Sequence, residues 1–159
     1  MSLSQLQVQK KKQKQLVNYL NNKIKIVRDP QNLKAVRDFV SATLQKMSVP
    51  DPEINMIVLA VDEVCANRIL HSPANSGEAF NNIELEIENN NNDFTFLIRD
   101  TGAFYDINTH ESPDIHKLIA EKRKGGIGLL LVKKIMDSIE ISRSEPYTVL
   151  LLRKSLKFV

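Results

Sequence analysis

Residues 82–100 read NIELEIENNNNDFTFLIRD, two alternating stretches separated by four asparagines. Residues 82–88 and 93–100 each carry an apolar side chain at every second position, which is the period of a β-strand with one buried face. The gap of Asn89–Asn92 is short enough for a hairpin, although four asparagines specify no particular turn type. This stretch therefore predicts an antiparallel pair of strands that ends at Asp100.

The flanking sequence predicts further strand pairs and three longer helices. Asp29 and Pro30 suit the cap and the first turn of a helix that follows a strand. The predicted elements are a strand at 23–27, helices at about 30–44, 52–70 and 125–137, a short helical piece near Ile115–Lys122 and two strands within 138–154 around Glu145-Pro146. Because the hairpins lack intervening helices, a doubly wound parallel sheet is disfavoured. The predicted fold class is α+β: a two-layer α/β sandwich with a mixed, mostly antiparallel sheet and helices on one face.

Composition limits the classes of protein. The chain of 159 residues fits one domain, with residues 1–22 as an N-terminal extension and 23–159 as the folded domain. The 22 Lys and Arg exceed the 19 Asp and Glu too little to predict direct nucleic-acid binding. The single Cys65 excludes an intramolecular disulfide and a zinc site of several thiolates. No apolar run approaches the roughly 18 residues of a membrane span, and the N-terminus has no apolar signal core, so we expect a cytoplasmic protein.

The second helix carries an unusual polar pair within VDEVCANRILH, residues 61–71. At 100° per residue, the predicted core face consists of Ile54, Val58, Val61, Cys65 and Ile69. Glu63 and Asn67 fall on the other side, beside apolar neighbours. A buried carboxylate is costly unless it is paired. The pair therefore either lies on a partly exposed face or faces a pocket that holds a cation.

Two later stretches have an ordinary and a functional interpretation. The stretch Asp100-Thr-Gly102 is either a common turn, or it places the carboxylate of Asp100, a hydrogen-bond acceptor, beside the backbone of Gly102, which a planar ligand can approach closely. The glycines of GGIG (125–128) are a flexible start to a helix, or free N–H groups for an anion. No P-loop or G-x-G-x-x-G motif is present.

In order along the chain, these motifs resemble one superfamily. They are E-x-x-x-N on a helix, D-x-G-x-x-x-D after a strand, and G-G-x-G-L opening a helix that ends in Met-Asp. They are similar to the ATPase fold of gyrase, heat-shock chaperone, histidine kinase and mismatch-repair proteins (GHKL). The form DEVCANRILH (62–71) resembles the anti-sigma factor and serine-protein kinase branch, and the resemblance covers about residues 23–155.

The resemblance implies ATP and Mg²⁺ as ligands and a role for each matching residue. Asn67 would coordinate Mg²⁺, and Glu63 would be the catalytic general base toward a partner's serine hydroxyl. Asp100 would bind the adenine amino group, Gly102 would let the base approach, and Thr148 would assist Asp100. The phosphates would meet the amides of Gly125, Gly126 and Gly128, under a lid formed by residues 106–124.

Arg68 departs from the family pattern. It follows Asn67 where the family usually has a small or apolar residue, and the helical projection places it beside Val61 and Val64. Three partners are open for it: a phosphate, the lid or a second protomer.

The resemblance implies an ATP-dependent anti-sigma factor and protein serine kinase. Such a protein phosphorylates an anti-sigma-factor antagonist, alternately binds a sigma factor of RNA polymerase, and is a homodimer. The alternative is a non-catalytic, ATP-responsive protein-binding switch. A detached sensor histidine kinase domain is disfavoured, because residues 1–22 contain no histidine to receive phosphate.

Overall fold

The computed structural model describes residues 2–9, 22–71, 81–102 and 125–157. Within these ranges, residues 3–9 form a short helix. The longer elements are the helices α1 (Leu33–Lys46), α2 (Asp51–His71) and α3 (Gly125–Ile135), and the strands β1 (Lys23–Val27), β2 (Asn82–Asn90), β3 (Asp93–Asp100), β4 (Ser138–Ser144) and β5 (Tyr147–Ser155). The five strands form one sheet in the order β1-β2-β3-β5-β4.

The predicted hairpin of β2 and β3 is confirmed. The two strands pair antiparallel, with Ile83 opposite Asp100 and Asn90 opposite Asp93. Asn91 in the turn has φ of 56°, a left-handed conformation that asparagine adopts more readily than most residues. The alternation seen in the sequence is therefore the alternation of buried and outward-facing residues in the hairpin.

The helices cover one face of the sheet. Most of the buried side chains on the three central strands are apolar: Ile83, Leu85, Ile87, Phe94, Phe96, Ile98, Leu150 and Leu152. Helix α2 packs against both α1 and α3, so it is the middle helix of that layer. The predicted two-layer α+β sandwich is confirmed. All pairings among the described strands are antiparallel, so this part of the sheet is not mixed.

The start of the first helix is also as predicted. The Asp29 side chain accepts a hydrogen bond from the Gln31 N–H at 2.9 Å and caps a 3₁₀ turn over Pro30–Asn32. Helix α1 follows directly from that turn. The aspartate thus satisfies a backbone donor that has no partner within the turn itself.

The buried face of α2 differs from the helical projection. Ile54, Val61 and Cys65 are buried as predicted, whereas Val58 and Ile69 are only partly buried. The remaining buried positions are Ile57, Ala60, Val64 and Arg68. The core face is therefore rotated toward Arg68. Helix α2 packs between two helices and over the sheet, and for this reason its apolar side chains alone do not set its orientation.

Some predictions fall outside the described residues. These are the helical piece near Ile115–Lys122, the lid at 106–124 and most of the predicted extension at 1–22. Among the described helices, none combines the length and hydropathy that a bilayer span requires.

Candidate nucleotide site

The polar pair of α2 lies at the border of its buried face. Glu63 and Asn67 are both partly buried. On one side of the pair Ala60 is fully buried, on the other Leu70 is 63% exposed, and Met56 between them is 46% exposed. The first interpretation, a partly exposed face, therefore agrees with the structure, and a pocket that holds a cation stays a prediction.

Gly128 fixes where the carboxylate of Glu63 lies. A Cβ atom added to Gly128 would be 2.9 Å from Glu63 Cδ and would overlap Oε2. Any side chain at position 128 would therefore displace the carboxylate. The absence of a Cβ brings α2 and α3 together and places Glu63 against the first turn of α3, two positions that are 65 residues apart in the sequence.

Helix α3 begins at Gly125, within the glycine stretch. The first four N–H groups of a helix have no acceptor within it, and the helix dipole is positive at that end. Gly125, Gly126 and Gly128 all belong to these first four residues. The predicted anion-binding helix start is thus present in the backbone, and the role of its amides toward phosphate stays a prediction.

The carboxylate of Asp100 is buried and held by arginines. Arg68 binds it with two hydrogen bonds, Nε to Oδ2 at 2.7 Å and Nη2 to Oδ1 at 2.6 Å. Both side chains are fully buried. The N–H of Gly102 also donates to Oδ1, at 2.5 Å. Among the described residues, Arg68 thus has the strand-end aspartate, 32 positions along the chain, as a partner that the sequence did not indicate.

Arg28 joins the same cluster from the segment after β1. Its Nη1 donates to Asp100 Oδ1 at 3.3 Å, and its Nη2 donates to the backbone carbonyl of Arg68 at 2.6 Å. That carbonyl is in the last turn of α2, where backbone acceptors lack helical partners. Burial lowers the pKa of Arg28 from its ordinary value, against the opposing effect of the Asp100 charge. An arginine remains charged under ordinary conditions, so the cluster has two positive charges and one negative.

Thr148 and Gly102 lie beside Asp100. Asp100 and Thr148 are directly opposite each other on β3 and β5. Thr148 Oγ1 donates to the carbonyl of Gly102 at 2.8 Å, and Arg143 Nη1 donates to that carbonyl at 3.1 Å and to Thr148 Oγ1 at 2.9 Å. The structure therefore brings together the three residues that the sequence predicted for the base.

The site thus has two parts along one helix. Glu63, Asn67 and the first turn of α3 form the predicted phosphate end, and Asp100, Gly102 and Thr148 form the predicted base end. Arg68 links them, since it follows Asn67 in α2 and binds Asp100. The partners of Arg68 and the roles of Arg28 and Arg143 were missed in the sequence. One signal was available for Arg68, because an arginine projected among valines requires a buried carboxylate partner.

Comparison with known protein families shows to which family the chain is related. The profile of the histidine kinase-like ATPase domain matches residues 26–154.

The chain belongs to the histidine kinase-like ATPase family.

Relatives within this family carry the name serine-protein kinase RsbW. The protein from Bacillus cereus strain AH820 is 25% identical over 132 residues, which cover 80% of this chain and 81% of the relative. The one from Bacillus thuringiensis strain Al Hakam is 24% identical over the same length and coverage. These matches confirm the predicted resemblance to the anti-sigma factor and serine-protein kinase branch of the GHKL ATPases.

Solved structures share the fold. The crystal structure of the SiaB–SiaC complex from Pseudomonas aeruginosa matches with a TM-score of 0.56 and 14% identity, over 98% of this chain and 100% of that one. A Mycobacterium tuberculosis protein solved as its RsbU and RsbW domains matches with a TM-score of 0.51 and 15% identity, over 86% of this chain and 34% of that one. At these identities, the likeness concerns the fold.

Proposed function

We propose that this histidine kinase-like ATPase is an ATP-dependent protein serine kinase and anti-sigma factor. It phosphorylates a serine of an anti-sigma-factor antagonist and alternately binds a sigma factor. The observation that carries the proposal is the position of the Glu63 carboxylate against the first turn of α3, with Asn67 one helical turn further along α2.

The phosphate end fits Mg²⁺ and a triphosphate by the chemistry of its groups. Mg²⁺ prefers oxygen ligands and in nucleotide sites takes one or two of them from the protein, the rest from phosphates and water. Asn67 offers such an oxygen, and the first turn of α3 offers N–H groups and a positive dipole end. Among the described residues, no group of three or more His, Cys, Asp or Glu is placed to hold a metal alone, so Asn67 would share the ion with the phosphates.

Each residue of the phosphate end then has one task. Mg-ATP would supply the phosphoryl group, with ADP as the leaving group and with the negative charge of the phosphate oxygens partly neutralised by the metal. Glu63 accepts the proton of the partner's serine hydroxyl, and a positioned base typically accelerates transfer by about 10²–10⁴-fold. Asn67 orients the metal, and the amides of Gly125, Gly126 and Gly128 bind the phosphate oxygens. Phosphoryl transfer depends mainly on such positioning and electrostatics, so no further covalent help from the protein is required.

The exposed face around Glu63 suits a protein substrate. A serine that reaches Glu63 must belong to a partner that covers the adjacent surface of α2. Met56, Leu59 and Leu70 are exposed there, at 46%, 38% and 63%. At 100° per residue, these positions lie within 60° of one another and on both sides of Glu63. Apolar side chains next to the base favour docking of a folded antagonist over a small hydrophilic substrate.

The proposal includes a homodimer that works in the cytoplasm, with residues 23–159 as the catalytic domain. The support for it is the kinship with proteins named serine-protein kinase RsbW.

The first test is calorimetric titration with Mg-ATP of the wild type, Asn67→Ala and Asn55→Ala. Asn55 is an exposed residue of the same helix, so it is a matched control for the loss of one amide. We expect binding that requires Mg²⁺ for the wild type and for Asn55→Ala, and binding weakened at least tenfold for Asn67→Ala. Equal affinities of the two variants would remove Asn67 from the nucleotide site.

The second test separates a kinase from a binding switch. With γ-labelled ATP and a panel of anti-sigma-factor antagonist proteins, we expect label on one antagonist's serine with the wild type. Glu63→Gln should abolish transfer and spare Mg-ATP binding, whereas Glu53→Gln, an exposed site in the first turn of α2, should retain both. Mg-ATP binding without transfer to any antagonist by the wild type would favour the non-catalytic switch.

A further inference from the structure

Protein donors bind both oxygens of the buried Asp100 carboxylate. Oδ1 accepts from Arg68 Nη2, Arg28 Nη1 and the Gly102 N–H, and Oδ2 accepts from Arg68 Nε. Each oxygen of an ionised carboxylate has about two lone pairs, so the three bonds use Oδ1 fully, and the one acceptor position left on Oδ2 faces the packed interior. The side chain is also fully buried. The adenine amino group is itself a donor, and it would have to displace protein donors to reach a carboxylate that is fully buried.

Arg68 is costly to remove from this arrangement. Its guanidinium is fully buried, and its fork matches the two carboxylate oxygens in the bidentate geometry that makes the strongest pairs of this kind. Rotating it away would leave a buried charge without its partner. No buried side-chain nitrogen or oxygen of the described residues lacks a hydrogen-bond partner, so the cluster is complete without a ligand.

We propose that Arg68 is the residue that sets base specificity, by holding Asp100 so that the 6-amino group of adenine is not read. The inference rests on the proposed nucleotide binding. The nucleotide is then held mainly through its phosphates at the first turn of α3, and the ligand class is purine nucleoside triphosphates with either a 6-amino or a 6-oxo group. Arg68 acts through Asp100, so it is a positioning residue.

The test compares Mg-ATP with Mg-ITP, which differs from ATP at position 6 of the base. A hydrogen bond to a charged acceptor is typically worth a factor of about 10 to 100 in affinity. We expect calorimetric dissociation constants for the two nucleotides to differ by less than fivefold in the wild type. A preference for ATP of fivefold or more would overturn the proposal.

Arg68→Lys is the matched variant. A lysine retains the charge but offers no planar fork, so it cannot bind both oxygens as Arg68 does. Arg28 Nη1 reaches only Oδ1, so Oδ2 becomes available as an acceptor. We expect the preference for ATP over ITP to rise to fivefold or more in this variant. Arg99→Lys is the control, since Arg99 pairs with Glu84 on the other face of the sheet. The preference of this variant for ATP over ITP should equal that of the wild type.

The outcomes separate this inference from the proposed function. If Arg68→Lys folds and its ratio of ITP to ATP dissociation constants equals that of the wild type, Arg68 does not determine base specificity. If that variant does not fold, the ratio of the two dissociation constants in the wild type alone tests the proposal. Binding of neither nucleotide at millimolar concentration would refute nucleotide binding, and this inference with it, whereas strong binding of ATP alone would refute only the inference.

Discussion

The ion pair between Arg68 and Asp100 predicts a large and specific loss of stability on Arg68→Met. Methionine occupies much of the aliphatic volume of arginine, so the change chiefly removes the guanidinium and its two hydrogen bonds of 2.6 and 2.7 Å. Breaking a buried pair by removing one partner typically costs about 3–5 kcal/mol. Asp100 keeps Arg28 Nη1 at 3.3 Å and the Gly102 N–H, so we expect the lower end, about 3 kcal/mol.

Urea unfolding followed by circular dichroism measures this loss. With a slope of about 2 kcal/mol per M, a loss of about 3 kcal/mol lowers the midpoint by about 1.5 M. Arg99→Met is the control, because its pair with Glu84 lies partly exposed on the outward face, with 34% and 23% of the two side chains accessible. Such pairs contribute about 0–1 kcal/mol, so its midpoint should fall by about 0.5 M or less.

A double-mutant cycle with Asp100→Asn tests whether the loss belongs to the pair. If Arg68 and Asp100 stabilise the fold through each other, the double variant should be more stable than the sum of the two single losses predicts, by about 2–3 kcal/mol. The reasoning is refuted if Arg68→Met loses less than about 1 kcal/mol, or if the two losses simply add. Additive losses would mean that each side chain acts through separate neighbours.

Three further predictions concern the site and the core. Gly128→Ala should change the free energy of unfolding by no more than about 1 kcal/mol, because alanine favours the helix while Glu63 must change rotamer. It should nevertheless slow phosphotransfer by about 10²-fold or more, and transfer at the wild-type rate would show that the carboxylate need not lie there. Burial raises the pKa of the Cys65 thiol from 9.0 to about 12. Above pH 9 the unfolded chain therefore binds fewer protons, and the stability of the wild type should fall by about 1.4 kcal/mol per pH unit more steeply than that of Cys65→Val; parallel profiles would contradict this. Thr148→Val should lower the unfolding free energy by about 1–2 kcal/mol in urea, with Thr148→Ser restoring most of it, because the hydroxyl bonds the Gly102 carbonyl; an equal loss in both variants would point to packing.

Local patterns were sufficient to predict most of the fold. The alternation of apolar and polar side chains over 82–88 and 93–100 shows which face of each strand is buried. This pattern depends only on neighbours along the strand. The Asp29 cap is likewise a contact over two residues. Boundaries differed by a residue or two, with α2 beginning at Asp51 and α3 ending at Ile135. These elements were predictable because their determinants are close in sequence.

The contacts of the predicted site residues could not be predicted from the sequence. The motifs identified Glu63 and Asp100, yet the sequence could not show that Gly128 makes room for the first or that Arg68 holds the second. Both contacts join segments at least 32 residues apart and depend on how α2 is rotated. The helical projection placed the core face off its true centre, because it counted apolar side chains and left out a buried arginine.

The rotation of α2 is in turn what positions the phosphate end. Arg68 is bound to the sheet through Asp100, and its carbonyl is bound by Arg28, so the last turns of α2 are fixed in both rotation and translation. Glu63 packs against α3 at Gly128, a turn and a half earlier. Asn67 lies between these two attachments on one rigid helix, so packing sets its direction before any ligand binds. A site held in this way orders few side chains on binding, which favours affinity and precise transfer. The arginine at position 68 thus strengthens the scaffold of Asn67, the predicted metal ligand, while it occupies the carboxylate that was predicted to bind adenine.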